Sequence, residues 1–433
     1  MTATHANAQP SSHRTAVIIA TGDEIILGQR YDTNSAWLAR QLTDVGVLPV
    51  KFAAVGDDRR RLSEGLRAAA RDADLVLVTG GLGPTDDDMT RPALGDALGE
   101  ALIEDAVVFS MIEAWYARAG RSTPASARSM AVRPPSARVL DNAVGSAPGL
   151  AARIGDADVF CLPGPPGEMR DGYARHVRSA IRRDSSRTVA MRVLPTIGLG
   201  ESDVAQRLGV LMRRDRNPLI GTTASSAIVT CRVRYEGPPD AATAALDNAE
   251  REARAALGAC VLGVGERSIA EFVLDLMRER RATLAVAESC TGGMLGGTIT
   301  GVAGSSDVML GGWITYSNAM KQSLLGVSAQ VLARDGAVSR ACAEAMIRGA
   351  IRQSGATHAI SITGVAGPAG GTSEKPVGTV WICVAGSDGS IDTRRFAFAG
   401  DREAVRVWSV NSALAMLRLS LLGESMRLLR QAE

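Results

Sequence analysis

The sequence contains few aromatic residues and almost no excess of either charge. Phenylalanine, tryptophan and tyrosine make up 4% of its 433 residues, and 48 Lys and Arg against 46 Asp and Glu leave a formal net charge of +2. Proteins bind single-stranded nucleic acid largely through stacked aromatic rings, and most nucleic-acid-binding domains carry a strongly basic surface. Both features are scarce here, so the composition disfavours direct nucleic-acid binding.

Histidine and cysteine are also scarce. The four histidines are scattered, and the six cysteines include no pair at C-x-x-C spacing. This pattern indicates neither a zinc site nor a disulfide framework. A bound metal, if there is one, is expected to be a hard cation held by carboxylates.

Long apolar runs are absent as well. No stretch approaches the roughly 18 consecutive apolar residues that identify a membrane-spanning helix. The first residues, MTATHANAQPSSHR, are polar and lack the apolar core of a signal peptide. We predict a flexible tail at residues 1–13, no membrane association and a cytoplasmic location.

Apolar runs and helical periodicities divide the remaining chain into three segments. Residues 14–183 alternate strands with helices, which is typical of a mostly parallel sheet covered on both faces. Residues 184–262 predict a small α+β module, and residues 263–433 predict a second layered domain whose last helix spans 402–429. The predicted fold class is therefore α/β: two layered α/β domains joined by a small α+β module.

The third segment contains a serine at a strand end. AESCTGG, residues 287–293, predicts a buried strand that ends near Ser289 and is followed by small residues that open a helix. Open α/β sheets bind ligands at the carboxyl ends of their strands. The amides of Cys290 and Thr291 would then form a donor pair for an oxyanion. The alternative is that Ser289 only caps the helix.

A lysine follows at the next strand exit. TYSNAMK, residues 315–321, contains Tyr316 and Lys321. A serine nucleophile needs a base, and these motifs contain no histidine, so Lys321 with a lowered pKa is the available candidate. The alternative makes Lys321 a solvated charge and Tyr316 a core aromatic residue.

Two further motifs could bind a phosphorylated ligand. SITGVAGPAGGTSEKPVGT, residues 361–379, is rich in glycine, which lets backbone amides approach a ligand closely. FAGDREAVR places Arg402 and Arg406 four residues apart on one helix face, and paired guanidinium groups suit a phosphate. The alternatives are a plain surface loop and salt bridges to Asp401 or Glu403.

The first segment combines glycine turns with carboxylates. TGGLGPTDDDMT, residues 79–90, follows a buried strand and suits a nucleotide or pterin phosphate with a divalent cation. The alternative is that Asp86–Asp88 only cap a helix, where negative charge is favourable. Glu168 in PGPPGEM is a further candidate, with a structural role as its alternative.

Taken in order, these motifs carry a family resemblance. AESCTGG, TYSNAMK, DGAVS, ITGVAGPAGG with EKPVGTV, and AGDREAVR make residues 268–422 resemble the C-terminal domain of the CinA family. TGDEIILGQRYDTN, TGGLGPTDDDMT, GSAPG and LPGPPGEM make the first segment resemble a MoaB/MogA-type domain. The middle segment, with GLGES, resembles the KH-like connector of the same family, so the resemblance covers nearly the whole chain.

The resemblance implies a deamidase in the C-terminal domain. Ser289 and Lys321 would be the catalytic pair acting on nicotinamide mononucleotide in pyridine nucleotide salvage, and Tyr316 would position Lys321 or the pyridinium ring. No cofactor is expected for this reaction, and the family suggests a homodimer. The residues expected to bind the substrate are Cys290, Thr291, Gly292, Thr363, Gly364, Gly367, Arg402 and Arg406.

For the N-terminal domain the resemblance implies an ADP-ribose pyrophosphatase, with a divalent cation such as Mg²⁺ on Asp87 and Asp88. The residues expected in this nucleotide site are Asp23, Glu24, Gly80, Gly81, Asp87, Asp88 and Glu168. The sequence departs from the family at ARSMA, residues 127–131, where members usually carry an NxxQA stretch. The two missing amide side chains weaken the expectation of pyrophosphatase activity.

Three functions therefore remain open: a deamidase, a nucleotide diphosphate hydrolase, and a non-enzymatic nucleotide-binding protein linked to competence or DNA damage. The intact pair of Ser289 and Lys321 favours the deamidase, because a binding protein has no need of both residues.

Overall fold

The structure is a computed structural model that describes residues 12–426 and Leu429. The chain divides into two compact units, residues 1–190 with 236–242 and residues 191–235 with 243–433. Residues 1–11 of the predicted tail lie outside the described residues. His13 is buried, and its Nε2 lies 3.1 Å from Oδ2 of Asp158.

The main sheet of the first unit is mixed. In chain order its strands are β1 (Thr15–Thr21), β2 (Leu48–Val55), β3 (Leu75–Thr79), β6 (Arg138–Leu140), β7 (Gly149–Ile154) and β8 (Ala157–Leu162), and a separate short pair is formed by β4 (Ile103–Glu104) and β5 (Val132–Arg133). The spatial order is β2-β1-β3-β8-β7-β6. Pairs β1–β2, β1–β3 and β3–β8 are parallel, whereas β7–β8 and β6–β7 are antiparallel.

Helices cover both faces of this sheet. They are α1 (Asp23–Ile26), α2 (Thr33–Asp44), α3 (Arg59–Asp72), α4 (Thr90–Leu98), α5 (Ala106–Arg118) and α6 (Pro166–Gly172). Side chains alternate across a strand: Val17 and Ile19 of β1 enter the core on the α3 and α4 side, and Ile18 enters the core beneath α2 and α6.

The middle segment contains β9 (Thr188–Ile197), α7 (Glu201–Leu208), β10 (Leu219–Ser225), β11 (Ile228–Gly237) and α8 (Pro239–Leu257). Its strands lie in the order β10-β11-β9, and β10 and β11 form an antiparallel hairpin. Ile197 and Leu262 belong to the core of the C-terminal domain, so the end of this segment packs on that domain.

The C-terminal domain is the second layered α/β structure. Its elements are α9 (Ile269–Glu279), β12 (Leu284–Glu288), α10 (Met294–Thr300), β13 (Met309–Ile314), α11 (Asn318–Leu325), α12 (Ala329–Arg334), α13 (Arg340–Ser354), β14 (His358–Gly364), β15 (Thr379–Ala385), β16 (Ile391–Ala397) and α14 (Arg402–Leu422). The strand order is β13-β12-β14-β15-β16; β12 pairs in parallel with both neighbours, and the remaining pairs are antiparallel.

The interior strand β12, which lies between β13 and β14, is buried along its whole length. Val286 faces the core formed with α9, α10 and α14, and Ala287 faces the core formed with α11 and α13. A short strand that is buried on both faces needs apolar residues at every position, and the sequence LAVA, residues 284–287, provides them. Ser289, the residue after Glu288, therefore lies at the carboxyl end of β12, where the candidate site is.

Two details differ from the predictions. The first sheet is parallel only at β2, β1, β3 and β8, because a β6–β7–β8 meander adds antiparallel strands that the alternating pattern did not reveal. The last helix ends at Leu422 and not at 429, because Gly423 adopts a left-handed conformation with φ of 70° and terminates it. Among the described residues, no helix is both long and apolar enough to cross a bilayer.

Candidate functional site

Ser289 lies in a buried turn directly after β12. Its amide donates to the carbonyl of Ile362 on the neighbouring strand β14 at 3.0 Å, and the residue is 8% exposed. This bond extends the sheet by one residue and fixes the backbone of Ser289. The hydroxyl therefore projects from a rigid strand end.

Lys321 is the partner of this hydroxyl. Its Nζ donates to Oγ of Ser289 at 3.0 Å and to the carbonyl of Thr315 at 2.7 Å. Ser317 caps α11 by accepting from the amide of Met320, and the first turn of that helix then directs Lys321 inward. The distance lies within the hydrogen-bond reach that proton transfer requires.

The amine of Lys321 is buried without a counter-charge. The residue is 1% exposed, and no carboxylate of the described residues forms an ion pair with it. Burial lowers the pKa of Lys321 from its ordinary 10.5, because the charged form loses its hydration. A lysine in this environment can accept a proton at a pH where an exposed lysine cannot.

The turn after Ser289 leaves two amides free. The amides of Gly292 and Met294 donate to the carbonyls of Ser289 and Thr291, but no described residue accepts a hydrogen bond from the amides of Cys290 and Thr291. Helix α10 begins only at Met294, so these two donors belong to the turn and not to the helix. Unpaired amides beside a nucleophile are what an oxyanion site requires.

Cys290 itself does not offer a reactive thiol. Its side chain is buried, and burial raises the pKa of the thiol to about 12. A thiol that holds its proton this strongly is a poor nucleophile. The contribution of this residue to the site is therefore its backbone amide.

Tyr316 and Arg402 contact each other. Nη2 of Arg402 donates to the hydroxyl of Tyr316 at 2.9 Å, and its Nη1 donates to the carbonyl of Gly367 at 2.8 Å. The hydroxyl of Tyr316 thus faces Arg402, while the carbonyl of Thr315 and the hydroxyl of Ser289 hold Lys321. Tyr316 is 59% exposed, so it is not the core aromatic residue of the alternative interpretation.

Arg406 binds the protein backbone. Its Nε and Nη2 both donate to the carbonyl of Thr291, at 3.2 and 2.8 Å. These donors are therefore directed at the turn that follows Ser289, in contrast to the phosphate contact expected from the sequence. The spacing of Arg402 and Arg406 placed them on one helix face, but each reaches a different backbone carbonyl.

The glycine-rich loop is held in place by its first residues. Oγ1 of Thr363 is buried and donates to the carbonyl of Ala337 at 2.7 Å, so this hydroxyl is already paired within the protein. A Cβ at Gly364 would lie 2.7 Å from the carbonyl oxygen of Thr379, and one at Gly367 would lie 2.6 Å from Val377. These two glycines permit close packing of the loop, and its backbone remains the surface available to a ligand.

The N-terminal unit contains a cavity of about 620 Å³. It lies at the carboxyl ends of the parallel strands β1, β3 and β8, where Thr21, Thr79 and Pro163 line it. The predicted residues that also line it are Glu24, Gly80, Gly81, Asp87, Asp88 and Glu168. Asp23 stands beside it, because its carboxylate accepts from the amide of Asp57, a lining residue. This is the edge where open α/β sheets bind ligands.

Three family models match successive parts of the chain: "Probable molybdopterin binding domain" over residues 17–183, "Damage-inducible protein CinA KH domain" over 191–263 and "CinA C-terminal domain" over 266–421. A CinA-like protein of Myxococcus xanthus is 39% identical over 411 residues, which cover 94% of this chain and 98% of the relative. A CinA-like protein of Frankia casuarinae is 40% identical over 422 residues, 94% of this chain and 96% of the relative. The chain belongs to the CinA family.

A solved structure is also similar. The competence/damage inducible protein CihA from Agrobacterium tumefaciens is 37% identical; the match covers 36% of this chain and 93% of that chain, with a TM-score of 0.35. The predicted order of a MoaB/MogA-like domain, a KH module and a CinA C-terminal domain is confirmed by the family models.

The CinA C-terminal domain contains one important residue that the sequence analysis missed. Glu288 is 1% exposed, and its carboxylate accepts from the amides of Gly293, Leu295 and Gly296 at 3.1, 3.0 and 2.8 Å. The signal was a glutamate at the end of the apolar run LAVAE, because buried carboxylates are rare unless they are paired.

The CinA N-terminal cavity also contains residues that were missed. Nδ2 of Asn34 donates to Oγ1 of Thr79 and to the carbonyl of Gly164 at 2.9 and 2.8 Å, which connects α2 to the end of β3 and to the loop after β8. Arg91 does not line the cavity but holds the loop that does: this buried residue donates to the carbonyls of Leu82 and Pro148, and burial lowers its pKa to about 10. Asn34 and Arg91 are part of no recognisable spacing pattern of polar residues, so the sequence did not indicate their roles.

The carboxylates of the CinA N-terminal cavity differ in their availability. Asp88 accepts from the amides of Gly83 and Thr85 and from the hydroxyl of Thr85, so it stabilises the loop. Burial, together with the nearby Asp23, Asp87 and Glu24, raises the pKa of Asp57. Within the described part of the chain, no three His, Cys, Asp or Glu side chains form a group that could hold a metal ion. The cation expected on Asp87 and Asp88 remains a prediction.

Proposed function

We propose that the C-terminal domain is an amidohydrolase that converts nicotinamide mononucleotide to nicotinic acid mononucleotide and ammonia. The observation that carries this proposal is the buried amine of Lys321, 3.0 Å from the hydroxyl of Ser289 and without a carboxylate partner among the described residues. The identity of the substrate is inferred from the resemblance of the five sequence motifs to the CinA family. The type of reaction, attack by an activated serine, is inferred from the pair of Ser289 and Lys321.

In the first half of the reaction, neutral Lys321 takes the proton of Ser289 while Oγ attacks the carboxamide carbon. The oxyanion is stabilised by the amides of Cys290 and Thr291, which have no partner among the described residues. The tetrahedral intermediate collapses, the C–N bond breaks, and Lys321 returns its proton to the departing nitrogen, which leaves as ammonia. Ser289 then carries a nicotinoyl ester.

In the second half, Lys321 is neutral again and takes a proton from a water molecule that attacks the ester. The same two amides stabilise the second oxyanion. The C–Oγ bond breaks, Lys321 returns the proton to Ser289, and nicotinic acid mononucleotide forms as the carboxylic acid, which loses its remaining acidic proton to the solvent. The net reaction is one amide and one water giving one acid and one ammonia.

The direct test is to incubate the purified full chain with nicotinamide mononucleotide, and separately with ADP-ribose and Mg²⁺, and to identify the products. We expect ammonia and nicotinic acid mononucleotide from the first incubation. Nicotinamide, the free base, is the matched control, because it presents the same carboxamide without the ribose phosphate and should turn over far more slowly. Failure to release ammonia from the nucleotide would refute the proposal.

Arg402 is expected to act on substrate binding. It joins Tyr316 to the glycine-rich loop, so its removal should loosen the surface that we assign to the ribose phosphate. Replacement by alanine should raise KM about tenfold and change kcat little, since binding that is equal in ground and transition states affects mainly KM. Steady-state kinetics with nicotinamide mononucleotide tests this; an unchanged KM with a depressed kcat would contradict it.

A second candidate function belongs to the N-terminal unit. Its cavity, bounded by the loop Gly80–Gly83 and by carboxylates, favours binding of a nucleotide or pterin phosphate. Met130 lines this cavity, at a position where the usual family pattern has an amide side chain. We therefore propose that this unit binds such a ligand and hydrolyses ADP-ribose weakly.

A substitution at Gly80 tests whether the N-terminal cavity binds such a ligand. The φ of Gly80 is 104°, and a Cβ there would lie 2.6 Å from Oγ1 of Thr21, so Gly80→Ala should distort the loop at the cavity. Calorimetric titration with ADP-ribose should show at least a tenfold weaker affinity for the variant, whereas Gly155→Ala, which also has a positive φ of 61° but open space around it, should bind as the wild type does. Equal affinities of the wild type and the Gly80 variant would contradict a site at this loop.

A further inference from the structure

The turn that contains the unpaired amides of Cys290 and Thr291 is not held in one conformation by its own sequence. It contains two consecutive glycines, Gly292 and Gly293, with φ of 60° and 94°. Glycine is conformationally permissive, so such a turn samples several backbone conformations unless other groups fix it. The orientation of the two free amides therefore depends on contacts from outside the turn.

One contact holds the far end of the turn. The buried carboxylate of Glu288 accepts from the amides of Gly293, Leu295 and Gly296, and Glu288 is itself the last residue of the buried strand β12. These bonds satisfy the donors that follow the turn. A carboxylate bonded in this way does not compete with the developing oxyanion for the amides that precede Gly292.

A second contact holds the middle of the turn. Two nitrogens of Arg406 donate to the carbonyl of Thr291, and Nη2 lies 3.8 Å from the position that a Cβ of Gly292 would occupy. Fixing this carbonyl fixes the peptide plane between Thr291 and Gly292. Arg406 lies on α14, so the turn is connected to a helix that shares a core with α9 and α10.

We propose that Glu288 and Arg406 are positioning residues for the oxyanion site, and that Arg406 serves this role and not phosphate binding. Together they hold the turn so that the amides of Cys290 and Thr291 stay unpaired and converge on the oxyanion. The inference deepens the proposed amidohydrolase function and rests on it for the identity of the substrate. The positioning itself depends only on Ser289 acting as a nucleophile.

The test uses two readouts, only one of which requires the proposed substrate. The first is kcat and KM for nicotinamide mononucleotide. The second is the rate at which an alkyl fluorophosphonate labels Ser289, followed by mass spectrometry; Oγ displaces fluoride, and the phosphoryl oxygen uses the oxyanion donors. If the wild type labels but releases no ammonia, the proposed substrate is wrong while the positioning role can still be judged.

Arg406→Ala should lower both kcat and the labelling rate about 10- to 100-fold, because misdirecting a donor costs somewhat less than the 10²- to 10³-fold loss that follows its removal. KM should stay within about threefold. Arg406→Lys, which keeps the charge but offers a single ammonium, should lie between the wild type and the alanine variant, and added ethylguanidinium should partly restore labelling in the alanine variant. Glu288→Gln should also label at least tenfold more slowly, because its amide group opposes the backbone donors.

The matched control is Arg418→Lys. Arg418 lies on the same helix and also donates to two backbone carbonyls, those of Ala259 and Val261, at 2.6 and 2.7 Å. It should lose thermal stability but label at the wild-type rate. The proposal is overturned if Arg406→Lys raises KM with unchanged kcat and labelling, if both Arg406 variants label normally, or if the wild type does not label at all.

Discussion

Turnover of nicotinamide mononucleotide should fall about 10³-fold or more when Ser289 is replaced by alanine. The hydroxyl lies 3.0 Å from the amine of Lys321 on a backbone fixed by the bond to Ile362, and no other nucleophile of the site has a comparable base. The neighbouring thiol of Cys290 keeps its proton, since its pKa is about 12. Removing Oγ of Ser289 should therefore leave substrate binding intact but prevent formation of the acyl-enzyme.

The measurement is ammonia release under saturating substrate, together with the affinity for the substrate by calorimetry. Ser361→Ala is a suitable control, because Ser361 lies on the adjacent strand β14 with a buried hydroxyl that donates to the carbonyl of Ala343 on α13 and not to Lys321 or Ser289. It should lose stability and keep most of its turnover. Substantial turnover by the Ser289 variant would show that another group attacks the amide.

The pairing of Ser289 with Lys321 could be predicted from local sequence patterns. Ser289 and Lys321 each follow a strand of one βαβ arrangement, and β12 and β13 are parallel neighbours, so their carboxyl ends meet. Burial of LAVAE followed from its apolar run. The local pattern was sufficient because both residues are positioned by elements that begin or end within a few positions of them.

Other contacts could not be derived from the sequence, because they depend on where distant elements come to lie. Arg406 and Thr291 are separated by 115 residues, and the direction of that guanidinium is set by the packing of α14 beside α9 and α10. Spacing placed Arg402 and Arg406 on one helix face but could not distinguish a phosphate from a backbone carbonyl as the acceptor. The end of α14 was predictable in principle, since Gly423 is the residue type that terminates helices.

Lys321→Met should reduce turnover about 10³-fold or more, because the serine then has no base, while the methionine fills a similar apolar volume. In the wild type, kcat/KM should rise with pH as the amine loses its proton, with a midpoint below 10.5 because burial lowers the pKa of Lys321. The variant should show no such rise. Turnover close to that of the wild type would exclude Lys321 as the base.

The same lysine should make stability depend on pH in a definite direction. Its pKa is lower in the folded chain than in the unfolded chain, so the unfolded chain binds the proton more tightly and the folded state is penalised at low pH. As the pH rises through the folded pKa towards 10.5, that penalty is relieved. The free energy of unfolding of the wild type, measured by urea denaturation against Lys321→Met, should therefore increase as the pH approaches 10.5 from below. A difference that moves the other way would mean that the folded protein stabilises the charged amine, which is incompatible with its use as a base.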